Sequence, residues 1–391
     1  MFRSKLYKII QKMKTQLLSY SENQWKLTSN SQKVESNSAN LVLCFGSKEL
    51  LISENPARTL AGLFPNADIV CTSTSGEILD DRVYDNSLMA VAFKFEKTII
   101  KAKSISVHDF ADSFEAAVFL MRQLEAPDLA YTMVYSDGAL VNGSELVKGL
   151  SNVNGERLVT GGLAGDADRF KSTLVGLNEE PCEGNIVAIG FYGDEFMVSH
   201  GSQGGWESFG LEREVTASKA NVLKEIDGEN ALDLYKIYLG DAAKELPGAA
   251  LLYPLSVLIP GGNTPIVRTI LSIDETNQTM TFAGDVPVGS KVKLMKANFN
   301  KLTVAASNAA AMTNQEGLPE DSFALLVSCV GRKLVLGPRI EDEVEAVKET
   351  LGSNVLMAGF YSYGEISPFN TGGACQLHNQ TMTITTFYEL S

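Results

Sequence analysis

From Leu41 onward, short apolar runs alternate with segments of helical periodicity. The run LVLCFG at 41–46 predicts a buried strand, and ARTLAGLF predicts a helix after it. Residues 112–125 place apolar side chains at i, i+3 and i+4, which is typical of an amphipathic helix. Further apolar runs up to GNIVAIGFYG then predict more strands. The first part of the chain therefore mixes βα units with a strand meander.

The pattern restarts near residue 226. Two segments predict helices, IDGENALDLYKIYLG, which ends at Gly240, and KANFNKLTVAASNAAAM, while FALLVSCVGRKLVLG predicts a strand pair or one long strand. The hexapeptides STSGEI (73–78) and YSYGEI (361–366) each follow a strand pattern. Such an echo favours a duplication, with chance as the alternative.

These patterns predict an α/β fold with mixed α+β sheets, built from two related modules in tandem with a ligand pocket near their interface. We expect a basic and polar N-terminal extension at residues 1–37, a first module at 38–225 and a second at 226–391.

Charge and composition narrow the function classes. The net charge is −14, yet residues 1–40 carry seven Lys/Arg against two Glu, so the remainder is strongly acidic and repels nucleic acid. The basic start MFRSKLYKIIQKMK is either a short amphipathic helix for a partner or membrane surface, or incidental sequence before Met13. No apolar run approaches 18 residues, which predicts no integral membrane segment. Five scattered cysteines without CxxC spacing predict a cytoplasmic protein.

A search for catalytic motifs finds no GxSxG elbow, P-loop, HExxH or Rossmann GxGxxG. The three histidines are His108, His200 and His378, and Cys375 with His378 is weak evidence for a metal because a closed site needs two more ligands. We expect a protein that is not an enzyme, although a triad that assembles in space stays open.

Glycine-rich segments are more informative. VTGGLAGD (159–166, with Gly162), HGSQGGWESFG (200–210, with Gly204 and Gly205) and PGGN (260–263) follow apparent strands. Glycine at such points either forms a tight turn or lets the backbone approach a ligand. With Trp206, Phe209 and Tyr363 nearby, these segments predict an aromatic-walled pocket made of loops.

The paired Gly-Glu turns contain Glu77 and Glu365. A carboxylate after glycine at a strand end either receives a ligand ammonium group or accepts backbone N–H groups of its own turn. If the two halves face each other, both glutamates approach one cleft, so we include them among the candidate pocket residues with Gly162 and Tyr363.

Several of these segments together resemble one family. GGWESFG followed by VTASKANVLKEIDGENALDLYKIYLG resembles the junction between the N-terminal and C-terminal halves of FIST proteins. TSTSGEI and TGGLAGD match the first half in order and spacing, and the segment from GFYSYGEISP to CQLHNQTMTI resembles the end of the second. The resemblance covers about residues 38–390 and implies a cytoplasmic small-ligand sensor in bacterial signal transduction.

Stand-alone FIST proteins of this length include NosP-type haemoproteins, which sense nitric oxide. That resemblance implies a haem cofactor, and a partner that is a histidine kinase of a two-component system or a diguanylate cyclase or phosphodiesterase. His200 is the first candidate for the metal ligand, with Gly204, Gly205, Trp206 and Phe209 around the haem, and His108 is the second candidate. The alternative is a haem-free FIST sensor for an amino acid or similar metabolite, and an enzyme acting on a small carbonyl substrate is the third class. A homo-oligomer is left open.

Overall fold

Three six-stranded sheets surround one apolar core in the computed structural model, which describes residues 13–28, 32–246, 248–314, 317–369 and 372–390. Each sheet is built mainly from one stretch of chain, and we call these stretches units I, II and III. A fourth, smaller body interrupts unit III, and we call it the inserted unit.

Unit I spans residues 14–94. Its elements are β1 (Lys14–Ser21), β2 (Gln24–Leu27), β3 (Leu41–Gly46), α1 (Lys48–Glu54), α2 (Pro56–Leu63), β4 (Asp68–Ser73), β5 (Glu77–Leu79), β6 (Arg82–Tyr84) and β7 (Leu88–Lys94). Unit II spans residues 99–192. Its elements are β8 (Ile99–Ser106), α3 (Ser113–Leu124), β9 (Leu129–Ser136), α4 (Gly143–Asn154), β10 (Leu158–Leu163), β11 (Val175–Leu177) and β12 (Asn185–Tyr192).

Unit III begins with β13 (Phe196–Gln203). The inserted unit, residues 207–296, follows this strand. The inserted unit holds β14 (Glu207–Lys219), β15 (Val222–Ile226), β16 (Glu229–Asn230), α5 (Ala231–Leu239), β17 (Leu255–Leu258), β18 (Ile266–Arg268), β19 (Ile270–Asp274), β20 (Thr279–Phe282) and β21 (Lys291–Lys296). Unit III resumes with α6 (Phe299–Thr313), β22 (Phe323–Cys329), α7 (Val330–Leu336), α8 (Glu341–Leu351), β23 (Leu356–Ser362), β24 (Gly364–Pro368), β25 (Cys375–His378) and β26 (Met382–Glu389).

The three sheets share one strand pattern. A parallel pair forms the centre of each sheet, namely β3 with β4, β9 with β10, and β22 with β23. In each unit the last strand (β7, β12 or β26) pairs antiparallel with the first strand of the parallel pair. The first strand of the unit (β1, β8 or β13) pairs antiparallel with this last strand. The three units are therefore alike in topology.

The units also exchange strands in a cycle. After its parallel pair, unit I sends β5 and β6 to the sheet of unit III, unit II sends β11 to the sheet of unit I, and unit III sends β24 and β25 to the sheet of unit II. Each sheet is completed by a neighbour, so the units fold as one body.

Both faces of the central strands are buried, which explains their continuous apolar runs. Alternate residues of β3, such as Leu43 and Phe45, enter the shared core, while Val42 and Cys44 pack under α1 and α2. In the same way α3 and α4 cover the outer face of sheet II, and α6 and α8 cover that of sheet III.

Glycine permits the closest strand contacts. A Cβ on Gly161 of β10 would lie 1.8 Å from the carbonyl oxygen of Val134, and one on Gly359 of β23 would lie 1.8 Å from that of Leu326. The two glycines occupy the same position in units II and III, opposite Ile366 and Ile78 of the exchanged strands. Any larger residue there would push the parallel pair apart.

In each unit the chain leaves its own sheet at one turn, which we call the elbow. The elbows of units I, II and III are residues 73–77, 163–167 and 361–365. The amide of Gly165 donates to the carbonyl oxygen of Ser73 (2.9 Å), Ser75 to Tyr361 (2.8 Å), and Tyr363 to Leu163 (3.2 Å). These bonds form a closed ring that joins the three units at one point. The STSGEI and YSYGEI segments are the elbows of units I and III, at equivalent positions.

The expected mixed α/β fold with tandem modules is confirmed, and the structure differs from the sequence expectations at three places. Residues 14–27 form β1 and β2 of the first sheet, with Leu17 in the core, because their apolar residues match the free edge of β7. The segment FALLVSCVGRKLVLG is strand β22 followed directly by helix α7. The boundary expected at 225/226 falls at the end of β15, inside the inserted unit. Most of the basic start, residues 1–12, lies outside the described residues.

A buried ion pair fixes the junction with the inserted unit. Arg332 and Glu343 are both fully buried, with Nη2 2.7 Å from Oε2. The Arg332 guanidinium also donates to the carbonyl oxygens of Gly204 (2.5 Å) and Leu302 (2.9 Å). Glu343 Oε1 accepts from Ser328 and Tyr361. The pair thus connects α7 and α8 to the two chain crossings, which are the segments where the chain enters the inserted unit, near Gly204, and leaves it, near Leu302.

We predict that Arg332→Met lowers the free energy of unfolding by about 3–5 kcal/mol, because it leaves the Glu343 carboxylate buried without its partner. Urea denaturation measures this change. Arg339→Met is the matched control, since Arg339 pairs with Asp342 at an exposed site and should cost about 1 kcal/mol or less. A similar small loss in both variants would contradict the prediction.

Candidate functional site

The three units carry equivalent clefts beside the elbows, and a lysine fills the cleft of unit III. Lys333 of α7 donates to the carbonyl oxygen of Ser75 (2.7 Å) and pairs with Asp85. Its ammonium group also lies 5.5 Å from the ring centre of Tyr361. Ser75 and Asp85 both belong to unit I, which supplies the exchanged strands of this sheet.

A second lysine fills the cleft of unit I. Lys48 lies at the start of α1, contacts Ser172 Oγ and lies 3.8 Å from Glu183. These partners belong to unit II, which supplies β11 to this sheet. In both clefts, an ammonium group from the helix that follows the first parallel strand meets polar groups of the neighbouring unit.

The cleft of unit II contains a cavity of about 360 Å³, and the lysine on its wall, Lys171, follows the elbow at 163–167 and does not come from the helix after the first parallel strand. Its walls come from the loop before α4, the elbows of units II and III, and one edge of the inserted unit. They include Gly138–Gly143, Leu163, Phe170, Lys171, Asn221, Leu271, Phe282–Gly284, Tyr363 and Leu377.

The loop at 137–142 explains why this cleft is open. Helix α7 begins at Val330, immediately after β22, whereas α4 begins seven residues after the end of β9. The Asp137 carboxylate holds the loop by accepting the amides of Ala139 (2.7 Å) and Leu140 (2.6 Å), and also that of Gly184 (3.0 Å). No lysine or arginine occurs in the loop, so no side chain of the loop supplies a cation to the cleft.

The inserted unit closes the cleft from outside. The Asp285 amide donates to Ser144 Oγ (3.1 Å) at the start of α4, and the Lys148 ammonium lies 3.6 Å from the Asp285 carboxylate. Arg268 donates to the carbonyl oxygen of Leu377 (3.0 Å), and its burial lowers its pKa to about 10. The cavity is therefore bounded by two bodies that meet through a few polar contacts.

Tyr363 forms part of the cavity wall. Its hydroxyl donates to the Asp166 carboxylate and accepts the Phe170 amide (2.9 Å). Its ring stacks on Phe170 with centroids 4.6 Å apart. Gly162 lies one residue before the lining residue Leu163, and a Cβ there would lie 2.7 Å from Val327. Gly162 therefore allows close packing behind the cavity.

Glu77 and Glu365 hold their own turns. Glu77 accepts hydrogen bonds from the side chains of Thr74 (2.5 Å) and Ser87 (2.5 Å). Glu365 accepts from the side chains of Ser362 (2.8 Å) and Thr381 (2.9 Å). Burial raises the pKa of Glu77 to about 7 and that of Glu365 to about 8. Neither glutamate lines the unit II cavity.

His200 borders a different cavity, of about 400 Å³, together with Met197, Met312 and Tyr388. Its Nε2 lies 3.2 Å from the carbonyl oxygen of Pro368, and the residue is 6 % exposed. Burial lowers the pKa of His200, which favours the neutral imidazole at pH 7.

The other expected haem contacts do not gather around His200. Trp206 donates to the carbonyl oxygen of Gln380 (2.9 Å) and packs against Leu302, while Phe209 packs in the core of the inserted unit. The aromatic-walled pocket is thus not formed from these loops.

The remaining haem candidates have other surroundings. Gly205 has φ +79°, and a Cβ there would lie 2.4 Å from the carbonyl oxygen of Lys301, so the turn at Gly204 and Gly205 lets β13 pass close to α6. His108 is exposed beside Gly184.

Within the described part of the chain, no group of three or more His, Cys, Asp and Glu side chains is arranged to hold a metal ion. None of its helices is both long and apolar enough to cross a membrane.

The comparisons with known proteins identify both halves. The FIST N domain matches residues 40–229, and the FIST C domain matches residues 231–368. The chain belongs to the FIST family. FIST domains are small-ligand sensor domains in signal transduction. The junction of the two FIST domains falls at β16, directly before α5, so it divides the inserted unit.

No curated protein matches the FIST chain. Among solved structures, the crystal structure of cyanuric acid hydrolase from A. caulinodans is 10 % identical, with a TM-score of 0.18. That match covers 75 % of this chain and 99 % of the hydrolase. At this TM-score, the likeness assigns neither fold nor activity.

Sequence reasoning found Tyr363 and the elbow glycines but missed Asn142, Phe170, Lys171 and the inserted-unit edge at Phe282–Gly284. One signal was present in the chain. The strand pattern of β9 ends in Ser-Asp-Gly, and the short apolar run Ala-Leu-Val separates it from Asn142, where the helix pattern resumes. Such a long strand-to-helix loop in an α/β unit is a common position for a binding site. No local sequence pattern indicates that the inserted unit forms part of the cavity wall.

We predict that Glu365 makes stability depend on pH. Because its pKa in the folded protein, about 8, exceeds the ordinary 4.5, its contribution is fully present below about pH 4.5 and is lost as the pH rises through about 8. Wild-type stability should therefore fall relative to Glu365→Gln as the pH is raised over this range, as measured by urea denaturation. Glu345→Gln, at an exposed position, is the control. Parallel pH curves for wild type and Glu365→Gln would refute this assignment.

Proposed function

We propose that this FIST protein senses a small molecule bound in the unit II cleft and is not an enzyme. The observation that carries the proposal is the difference among three equivalent clefts. Lys333 and Lys48 fill two of them, whereas the third holds a cavity of about 360 Å³ under the inserted unit. A cavity of this volume suits a metabolite of amino-acid size.

The wall of the cleft supports a small polar ligand. Leu163, Phe170 and Phe282 provide apolar surface, while Asn142 and Lys171 provide polar groups. A few polar groups on an otherwise apolar wall fix the orientation of a ligand. An amino acid or similar metabolite fits this description.

Signal transmission follows from the position of the ligand between two bodies. A ligand that contacts both the α4 loop and the Phe282–Gly284 edge favours the closed arrangement of the inserted unit, because only that arrangement provides both sets of contacts. The contacts of Asp285 with Ser144 and of Arg268 with Leu377 lie at the same boundary. We propose that this shift alters a surface read by a separate histidine kinase or cyclic-di-GMP enzyme of a bacterium.

We predict that Leu140→Trp blocks the cleft. Leu140 lines the cavity and is 48 % exposed, so an indole has room to turn into the cleft without displacing the core. Wild-type protein incubated with a cellular metabolite extract should retain a small molecule in native mass spectrometry, and Leu140→Trp should not. Leu334→Trp, on the exposed side of α7, is the matched control and should retain it. Equal retention by Leu140→Trp, or none by wild type, would count against the cleft.

Haem-based nitric oxide sensing is the second candidate, and His200 is the observation that favours it. A neutral imidazole beside a cavity of about 400 Å³ suits an iron ligand. Iron would have to replace the bond between His200 and Pro368, and Trp206 and Phe209 do not supply walls for a macrocycle there. The residues present fit the iron ligand but not the rest of the expected haem pocket.

If haem binds, His200→Ala should lose haem or shift its Soret band, because the iron loses a nitrogen ligand. Absorption spectra of purified variants, with added imidazole as a rescue, measure this effect. His108→Ala, at an exposed site, is the control. A colourless wild-type protein after reconstitution with haem, or an unchanged spectrum in His200→Ala, would remove His200 from this role.

A further inference from the structure

We propose that the unit II cleft recognises a carboxylate group of its ligand through the ammonium group of Lys171. This inference rests on the proposed function, because it assigns ligand chemistry to the same cleft. It comes from the charged residues in and around the cavity wall.

Lys171 is the one charged residue among the described residues that line the cavity. Its side chain is exposed, and no described carboxylate forms an ion pair with its ammonium group. The lysines of the other two clefts are different, since Lys48 lies beside Glu183 and Lys333 pairs with Asp85. The unit II cleft therefore presents a cation that no described acidic side chain neutralises by direct contact.

The backbone holds Lys171 beside the aromatic part of the wall. Asp166 accepts the amides of Lys171 (3.2 Å) and Ser172 (3.1 Å), and its carboxylate also accepts the Tyr363 hydroxyl. Phe170, the preceding residue, lines the cavity and stacks on Tyr363. The position of the residue is thus fixed, while its exposed side chain can reach a ligand.

Three carboxylates adjoin the cavity without lining it. Asp137 accepts amides of the loop before α4, and Asp166 accepts amides of the segment that carries Lys171. The Asp285 carboxylate lies 3.6 Å from the Lys148 ammonium. Each carboxylate already has donors or a cation beside it, so none of the three takes the place of a ligand carboxylate at Lys171.

A second cation lies behind the wall. Arg268 is 3 % exposed, and its guanidinium donates to the carbonyl oxygens of Leu377 (3.0 Å) and Asp285 (3.2 Å). A Cβ on the lining residue Gly284 would lie 2.9 Å from the guanidinium carbon. The Asp285 carboxylate attracts this guanidinium but forms no direct ion pair with it. Arg268 therefore disfavours a ligand cation at this wall and favours an anion.

These charges limit the class of ligand. A lysine ammonium donates to anionic oxygens and repels a cation. One ammonium group balances the single charge of a carboxylate but only part of the charge of a phosphate monoester. The apolar lining residues Leu163, Phe170 and Phe282 contact the rest of the molecule. The expected ligand is therefore a small organic acid with an apolar body.

Sodium phenylpropionate tests the proposal on the full-length protein, with the neutral phenylpropionamide as the matched probe. Isothermal titration calorimetry should show that wild type binds the acid about tenfold more tightly than the amide, because the amide lacks the charge that pairs with Lys171. Phenyl phosphate should bind more weakly than phenylpropionate. Lys171→Gln should lose the preference for the acid, and Lys171→Arg should keep it.

Lys33→Gln is the matched control, since Lys33 is an exposed lysine of unit I that does not line the cavity, and it should bind both probes as wild type does. Lys171 is also exposed, so Lys171→Gln should fold, and its melting temperature checks this.

Equal affinities of wild type for the acid and the amide would overturn the carboxylate subsite, as would no binding of either probe. A preference for the acid that persists in Lys171→Gln would remove Lys171 from this role, and tighter binding of phenyl phosphate would replace the carboxylate with a phosphate. Retention of a metabolite by wild type but not by Leu140→Trp would still support the cleft as the ligand site, so the two proposals fail separately.

Discussion

The ring of three elbow hydrogen bonds is the constraint on which the rest of the molecule depends. Gly165, Ser75 and Tyr363 each donate an amide to the next unit, and beyond each elbow the chain completes a neighbouring sheet. A backbone N–H buried at such a point must find an acceptor, and here every elbow supplies the acceptor for another. The three sheets can therefore enclose one apolar core only when all three crossings form.

The same ring places three clefts in equivalent surroundings, and small differences then decide their roles. Helices α1 and α7 begin at or near the ends of their strands and place Lys48 and Lys333 in two clefts. The loop at 137–142 delays α4, and Asp137 uses its carboxylate to hold the loop, so the third cleft keeps its volume. One architecture thus provides two internal ion contacts and one open site.

The inserted unit forms one wall of this open cleft. It joins the core through crossings fixed by the buried Arg332–Glu343 pair, and it meets α4 through the contacts of Asp285 with Ser144 and Lys148. Breaking the buried ion pair at the crossings costs more free energy than breaking the contact between Asp285 and Lys148 at α4, because the Lys148 side chain is exposed. Under the proposed function, ligand binding acts on the weaker of the two boundaries, which suits a FIST sensor domain.

The sequence by itself determined the fold class, most helices, the buried strands and the importance of the Gly-Glu turns, because these depend on apolar periodicity and on local glycine geometry. It also carried the family resemblance. It could not show that Tyr363 meets Phe170 and Asp166, or that Trp206 and Phe209 lie apart from His200. These relations come from strand exchange between units far apart in the chain. Local patterns hold no information about which distant sheet a strand joins, so only the tertiary structure decided where the open cleft lies.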